Sequence, residues 1–249
     1  MTAGSSPQTF ALINSLGIEM VEQVPSLFTF NIDDKSLHEL AGISVEWAFI
    51  KIKSLKIQSE GPLLITHWGV SGPAVLRMSA YAARELNKVD YHFKIEINWR
   101  GGEETSSVVD TLKWYKESNA RKNVGNQNPF QFSSRLWRYF LNKIQIAHLN
   151  WADISNKKLD DLARCICEME FDVTGKSTFK DEFVTAGGVK LSEVDFKTME
   201  SKKLPGLYFA GEVLDIDAVT GGFNFQAAWT TAMLAANSIS KTLEDKKSY

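Results

Sequence analysis

The sequence has little of what would mark several large classes of function. Only two cysteines occur in 249 residues, Cys165 and Cys167. Their Cys-x-Cys spacing turns the two thiols to different faces of a helix, which rules out a redox pair and leaves no disulfide framework. The four histidines, His38, His67, His92 and His148, are scattered, so no metal-ligand constellation emerges. No apolar run approaches the ~20 residues of a membrane span, and Met1-Thr2-Ala3-Gly4 lacks the charged and apolar regions of a signal peptide. A cytoplasmic address without a membrane partner is therefore expected. Charge of one sign is also missing: 28 basic residues face 30 acidic ones, for a net charge of -2. That balance gives no long-range attraction toward phosphate backbones, so no nucleic-acid partner is expected. Pro73 stands where a G-x-S-x-G elbow around Ser71 needs its second glycine, which argues against a serine hydrolase.

What is present suffices for a substantial core: 44% of the residues are hydrophobic and 23% charged, enough for one large domain or two smaller ones. A small-residue turn at Ala3 to Pro7 leads into a short helical pattern from Gln8 to Gly17. From Val24 to Arg100 short alternating or apolar runs predict strands at Leu27 to Ile32, Ile43 to Ile57, Leu63 to Thr66 and Tyr91 to Trp99. One helix interrupts them, Pro73 through Leu86, with Val75, Met78, Ala82 and Leu86 on one face. Helical spacing then covers Val108 to Glu117, Ser133 to Ile144 and Asp160 to Met169. Strand character resumes at Phe171 to Thr174 and Glu182 to Thr185, and the charged tail from Glu244 to Tyr249 is expected to fray. The aromatics Trp114, Tyr115, Phe130, Phe132, Trp137, Tyr139 and Phe140 fit a core at this spacing, and Arg121-Lys122 and Lys157-Lys158 fit solvated surface. His67, between a strand and a turn, suits turn stabilisation better than proton transfer.

The chemistry concentrates near the end. An apolar strand from Leu204 is predicted to end at Gly211-Glu212, followed by a loop with three carboxylates, Glu212, Asp215 and Asp217. Thr220-Gly221-Gly222 then precedes an Ala-rich helix. A Gly-Gly pair alone is ordinarily just a turn. Strand, acidic loop, glycines and helix together suit a polar cofactor: glycines admit a ligand close to the backbone, and a helix N-terminus favours developing negative charge such as that around N1 and the C2 carbonyl of reduced flavin.

The stretch from Gly206 to Trp229 resembles the closing FAD motif of the BaiN-like or YhiN-like flavoproteins, bacterial NAD(P)/FAD-dependent oxidoreductases. Leu64-Ile-Thr-His-Trp-Gly-Val-Ser-Gly-Pro-Ala74 resembles that family's T-H-x-G-x-S-G-P motif. Val184-Thr-Ala-Gly-Gly-Val189 resembles its return from an inserted domain to the flavin domain. The resemblance implies that Gly211, Glu212, Asp215 and Thr220 approach the flavin, with Glu212 and Asp215 on its ribityl-phosphate side. It also implies that Gly221, Gly222, Phe223, Asn224 and Gln226 lie along the isoalloxazine ring, with Gly187, Gly188 and Val189 nearby. It assigns no catalytic residue and no substrate. The family's G-x-G-x-x-G turn, which admits the pyrophosphate of FAD, occurs nowhere in the chain.

The expected fold is therefore mixed α/β. A partial Rossmann-like FAD-binding domain, residues 1–23 and 182–249, encloses an inserted domain, residues 24–181, whose first half (24–105) is β-rich and whose second (106–181) is mainly helical. The expected activity is hydride transfer between NAD(P)H, FAD and a small-molecule acceptor, with the amino-terminal FAD-binding segment or subunit supplied elsewhere and this chain inactive alone. The alternatives are a flavin-free fragment or binding module, and one subunit of a split flavoenzyme.

Overall fold

The computed structural model describes residues 7–177 and 184–247. The turn expected at Ala3 to Ser6, the first two residues of the strand expected at 182–185 and the last two of the charged tail lie outside them. The chain divides into two compact units. One comprises residues 1–28, 79–88 and 178–249, the other 29–78 and 89–177. Residues 79–88, which the sequence reading kept in the inserted domain, thus group with the terminal segments.

In the first unit, α1 (Pro7–Ser15) precedes β1 (Met20–Ser26). The second unit opens with β2 (Thr29–Ile32), α2 (Lys35–His38), β3 (Ser44–Ile52), β4 (Ile57–Thr66) and β5 (Gly69–Ser71). The helix expected from Pro73 to Leu86 is two: α3 (Pro73–Tyr81) and α4 (Ala83–Lys88). The Leu86 N–H still bonds the Ala82 carbonyl at 2.8 Å, so the chain bends at Ala82 rather than ending a helix there. β6 (His92–Asn98), α5 (Thr105–Ser118), α6 (Ser134–Lys143), α7 (Asn156–Cys167) and β7 (Met169–Ser177) complete the second unit. The first resumes with β8 (Val184–Val189), β9 (Val194–Asp195), β10 (Glu200–Ser201) and α8 (Phe223–Lys247), which stays helical through the expected fraying point at Glu244.

The β-rich half closes into a six-stranded barrel in the order β2-β5-β4-β3-β6-β7, with β7 returning to β2 and every pair antiparallel. Closure satisfies the backbone donors and acceptors that a sheet edge would expose. Alternation does the rest: Ala48, Ile50 and Ile52 of β3, Leu63 and Ile65 of β4, Ile95 and Ile97 of β6, and Phe171 and Val173 of β7 point inward and are buried. A register shift between Val45 and Ala48 turns both Glu46 and Trp47 outward, leaving Trp47 exposed. Met169, expected at the end of a helix, instead begins β7, which runs longer than the four residues its apolar pattern suggested. Pairing against both β6 and β2 extends it past that pattern.

The helical half buries a cluster of rings. Ser133 and Ser155 accept hydrogen bonds from the N–H groups of Leu136 and Lys158, starting α6 and α7 as N-caps. Trp137 stacks on Trp151 at 6.5 Å and donates its indole N–H to the Val124 carbonyl at 2.8 Å. Phe130, Tyr139 and Phe140 are buried as expected. Trp114 is not: at 66% exposed it lies on the outer side of α5. The Cys165 and Cys167 thiols on α7 are free, and burial pushes them up to about 12 and about 11, so both stay protonated at neutral pH. No helix among the described residues is long and apolar enough to cross a membrane.

Candidate flavin-facing site

All twelve residues singled out for the cofactor lie in the first unit, on β8, on the turn and loop from Gly211 to Gly222, and at the start of α8. β8 pairs antiparallel with β1, with an irregularity in β1 between Val21 and Val24. The bulged Glu22 carbonyl would stand 2.1 Å from a Cβ on Gly187, whose φ is +98°. From another direction the Val213 carbonyl would stand 2.4 Å from a Cβ on Gly188. Only glycine lets β8 pass between these two backbones. Val189 completes the layer. It forms a parallel bridge to Leu214, and its carbonyl accepts the Asp215 N–H at 3.0 Å.

The strand expected from Leu204 to Gly211 is not regular. Its backbone makes one isolated bridge, Tyr208 to Glu200, with bonds from Phe209 N–H to the Met199 carbonyl and from Ser201 N–H to the Leu207 carbonyl. A strand persists only where a neighbour pairs along its length, and among the described residues this segment meets only the two-residue β10. Gly211 then opens a single 3₁₀ turn, Gly211–Val213, at φ +76°. Its N–H donates to the Thr231 hydroxyl of α8 at 2.9 Å, pinning turn to helix.

The acidic loop is partly neutralised from within. Glu212 accepts the Thr185 N–H at 3.1 Å, tying the turn to β8. Asp215 accepts from Arg84 of α4 at 2.8 Å, and Asp217 lies 3.8 Å from the same guanidinium. Burial raises the Asp217 carboxyl above its ordinary range; Arg84 opposes this and the neighbouring Asp215 reinforces it. Arg84, Thr185 and Thr231 escaped the sequence reading. Three carboxylates in one loop signal that a cation is needed, but no local pattern selects a residue 131 positions away.

At the entrance to α8, Asn224 closes a small ring. Its amide donates to the Ala218 carbonyl and accepts the Ala218 N–H, both at 2.9 Å. The Gln226 N–H bonds the Gly222 carbonyl at 3.0 Å, and its side-chain amide donates to the Thr230 hydroxyl at 3.1 Å. The N–H groups of Phe223, Asn224 and Phe225 therefore lie in the first turn, where helical geometry offers no acceptor. Gly221 and Gly222 are exposed with φ of +127° and +85°, and a Cβ on Gly222 would meet nothing within 4 Å. Thr220 beside them is half-buried. The structure thus brings Gly187, Gly188, Val189, Gly211, Glu212 and Asp215 into one packed layer, while Gly221, Gly222 and Phe223 stay open. An uncapped helix N-terminus approached over exposed glycines fits the negative edge of a flavin ring. Gly187 and Gly188 are already accounted for by backbone packing.

α8 also shows an unusual face. Phe225 and Trp229 are each 68% exposed and stack at 6.1 Å, and Met233 one turn further on is 62% exposed.

Residues 24–184 match the family profile described as the HI0933-like protein barrel and H2TH domain. Three characterised relatives extend the match over nearly the whole chain. It is 30% identical over 244 residues to the ribosomal RNA dihydrouridine synthase of Haemophilus influenzae, covering 96% of this chain and 57% of that protein. It is 29% identical over 246 residues to the Escherichia coli protein of the same name, covering 95% and 57%. It is 25% identical over 242 residues to the 3-dehydro-bile acid delta(4,6)-reductase of Clostridium scindens, covering 93% and 57%. The chain thus spans a little over half the length of the relatives it matches.

Proposed function

Because the chain belongs to the HI0933-like family, the flavin-dependent oxidoreductases of BaiN and YhiN type that its motifs resemble, we propose that it supplies the isoalloxazine-facing wall and inserted domain of an FAD-dependent reductase working in the cytoplasm. The observation that carries this reading is the first turn of α8, open over Gly221 and Gly222 and free of a Cβ obstruction at Gly222. The chemistry that the group supplies when bound is hydride transfer, from NAD(P)H to an acceptor. The residues of this chain position and polarise. The N–H groups of Phe223, Asn224 and Phe225 favour negative charge developing beside them. The Asn224 ring and the Gly211 to Thr231 bond fix where that helix begins. Glu212, with one oxygen held by Thr185, keeps the other for hydroxyl donors. Arg84 holds Asp215 and Asp217 in place.

The names of the three relatives share one chemistry, reduction of carbon–carbon double bonds conjugated with a carbonyl group. The acceptor proposed for this chain is of that class, and the two more similar relatives favour a uracil ring in RNA over a bile acid. This departs from the expectation of no nucleic-acid partner, which rested on total charge; total charge does not limit a local patch. The ADP half of FAD is assigned to a segment corresponding to the part of the relatives outside the match, in the same polypeptide or a separate subunit, and the Phe225, Trp229 and Met233 face of α8 is assigned to packing against it.

The test is to join the unmatched segment of the Haemophilus influenzae relative to this chain and record the visible spectrum. The purified protein is expected to be yellow, to bleach anaerobically with NADPH or NADH, and to recover colour when a uridine-containing RNA or a simple conjugated enone is added. A colourless product, or reduced flavin that neither acceptor reoxidises, would overturn the reading.

A further inference from the structure

Away from the glycine loop, a concavity of about 460 Å³ lies between α2 and α6, wholly within the barrel-and-helix unit. Arg135, Arg138, Asn142 and Lys143 of α6 line it, facing Ser36 and Glu39 around α2. Lys143 is already neutralised, since its ammonium lies 2.8 Å from Asp34. Arg135 donates to the Glu39 backbone carbonyl, and no carboxylate within ion-pair distance of Arg135 or Arg138 is found among the described residues. Two exposed guanidinium groups three positions apart on a helix repel each other, which a solvated face usually relieves with an acidic neighbour at i±3 or i±4. Here positions 131, 132, 134, 139, 141 and 142 carry no acid, and the single carboxylate in the concavity is that of Glu39.

We propose that this groove binds the phosphodiester backbone of an RNA substrate through Arg135 and Arg138, with Asn142 and Ser36 as neutral donors. Arg135, Arg138 and Asn142 share one face, and a rise of ~1.5 Å per residue spreads them over about 10 Å. That is roughly three nucleotide steps of a strand at about 3.4 Å of rise each. Guanidinium groups offer the paired donors that phosphate oxygens accept, and such contacts fix register without reading sequence. The proposal rests on the reading of RNA as acceptor and extends it by naming the surface that would hold the chain.

The experiment is fluorescence anisotropy of a labelled, uridine-rich RNA oligonucleotide titrated with the full chain across a series of sodium chloride concentrations. No flavin and no turnover are involved, so a failure here is separable from a colourless protein in the flavin test. Arg135→Gln/Arg138→Gln is compared with Arg121→Gln/Lys122→Gln, which removes the same charge from exposed residues outside the groove. All four positions are exposed, and circular dichroism confirms that each variant is folded. The groove variant is expected to lose about tenfold or more in affinity and to flatten the salt dependence by about 1.4, near 0.7 per single-strand phosphate contact. The control is expected to change affinity by less than about threefold. Absence of RNA binding by the unaltered chain, equal losses in both variants, or binding to dextran sulfate as tight as to RNA would each overturn the proposal.

Discussion

In the barrel-and-helix unit Trp99, Trp137 and Trp151 are at most 1% exposed although Trp47, Trp68 and Trp114 face solvent, whereas in the other unit Trp229 is 68% exposed and stacks on Phe225. The sheets differ in the same sense. One unit closes six strands on themselves; the other has, among the described residues, two separate two-stranded sheets, β1 with β8 and β9 with β10. Its main described core cluster gathers around Phe10, Ile13, Ile18, Val189, Val194, Met199, Phe209 and Leu214, with α8 contributing Ala235 and, partly buried, Leu234. A closed barrel with its own ring cluster buries its apolar surface internally. A pair of short sheets beside a long helix leaves strand edges unpaired and an aromatic face exposed among the described residues. The unit that carries the cofactor motif is thus the one that, among the described residues, has the smaller sheets and the exposed aromatic face on α8.

Substitutions can sharpen this contrast. Trp137→Ala removes a buried indole together with its bond to Val124, and is expected to destabilise the chain by about 3–5 kcal/mol in denaturant unfolding. Trp229→Ala in the same assay is expected to shift stability by no more than about 0.5 kcal/mol. Equal losses would mean that α8 packs as tightly as α6. Within the cofactor unit, Gly187→Ala and Gly188→Ala force a methyl group against the Glu22 and Val213 carbonyls, and each should cost about 1–3 kcal/mol by thermal unfolding. Gly222→Ala meets no neighbour and carries only the backbone strain of φ +85°, about 1 kcal/mol. Should all three melt alike, the division of the glycines into packed and open groups is wrong.

A pH-dependent effect concerns Asp34, which caps α2 through the Ser36 and Leu37 N–H groups and pairs with Lys143. Burial alone would raise its carboxyl, but hydrogen bonds from Lys143, Ser36 and Leu37 outweigh that and hold it below the ordinary carboxylate range. A carboxyl lowered by folding stabilises above its unfolded pKa of about 3.9 and loses that contribution as pH falls through the folded value. Asparagine can still cap, so Asp34→Asn should cost about 0.5–1 kcal/mol at pH 7, the pair being partly open to solvent. The difference in melting temperature from the unaltered chain should narrow as pH drops below about 4. A difference that stays constant to pH 2 would place the effect in the cap rather than the charge.

Most strands of the barrel were legible in the sequence, though not their closure, because period-two alternation survives wherever one face of a strand is buried, as in Ala48, Ile50 and Ile52. The entrance to α8 was legible because glycines followed by an Ala-rich run are a local signal. Features set by distant partners were not. The segment before Gly211 reads as a strand by propensity but, among the described residues, makes only one isolated bridge. The bend at Ala82 leaves Val75, Met78, Ala82 and Leu86 fully buried, so apolar spacing cannot reveal it. Arg84 meets the acidic loop only through folding, and Trp114 shares its neighbours' spacing while facing solvent.

The most direct test is flavin content in the chain joined to the unmatched segment of its Haemophilus influenzae relative, with and without Gly222→Val. The unaltered joined protein is expected to copurify with flavin, and the variant to remain folded and soluble but colourless, because the added side chain occupies the open space before α8. Undiminished flavin in a folded Gly222→Val variant would contradict the placement of the ring at this turn.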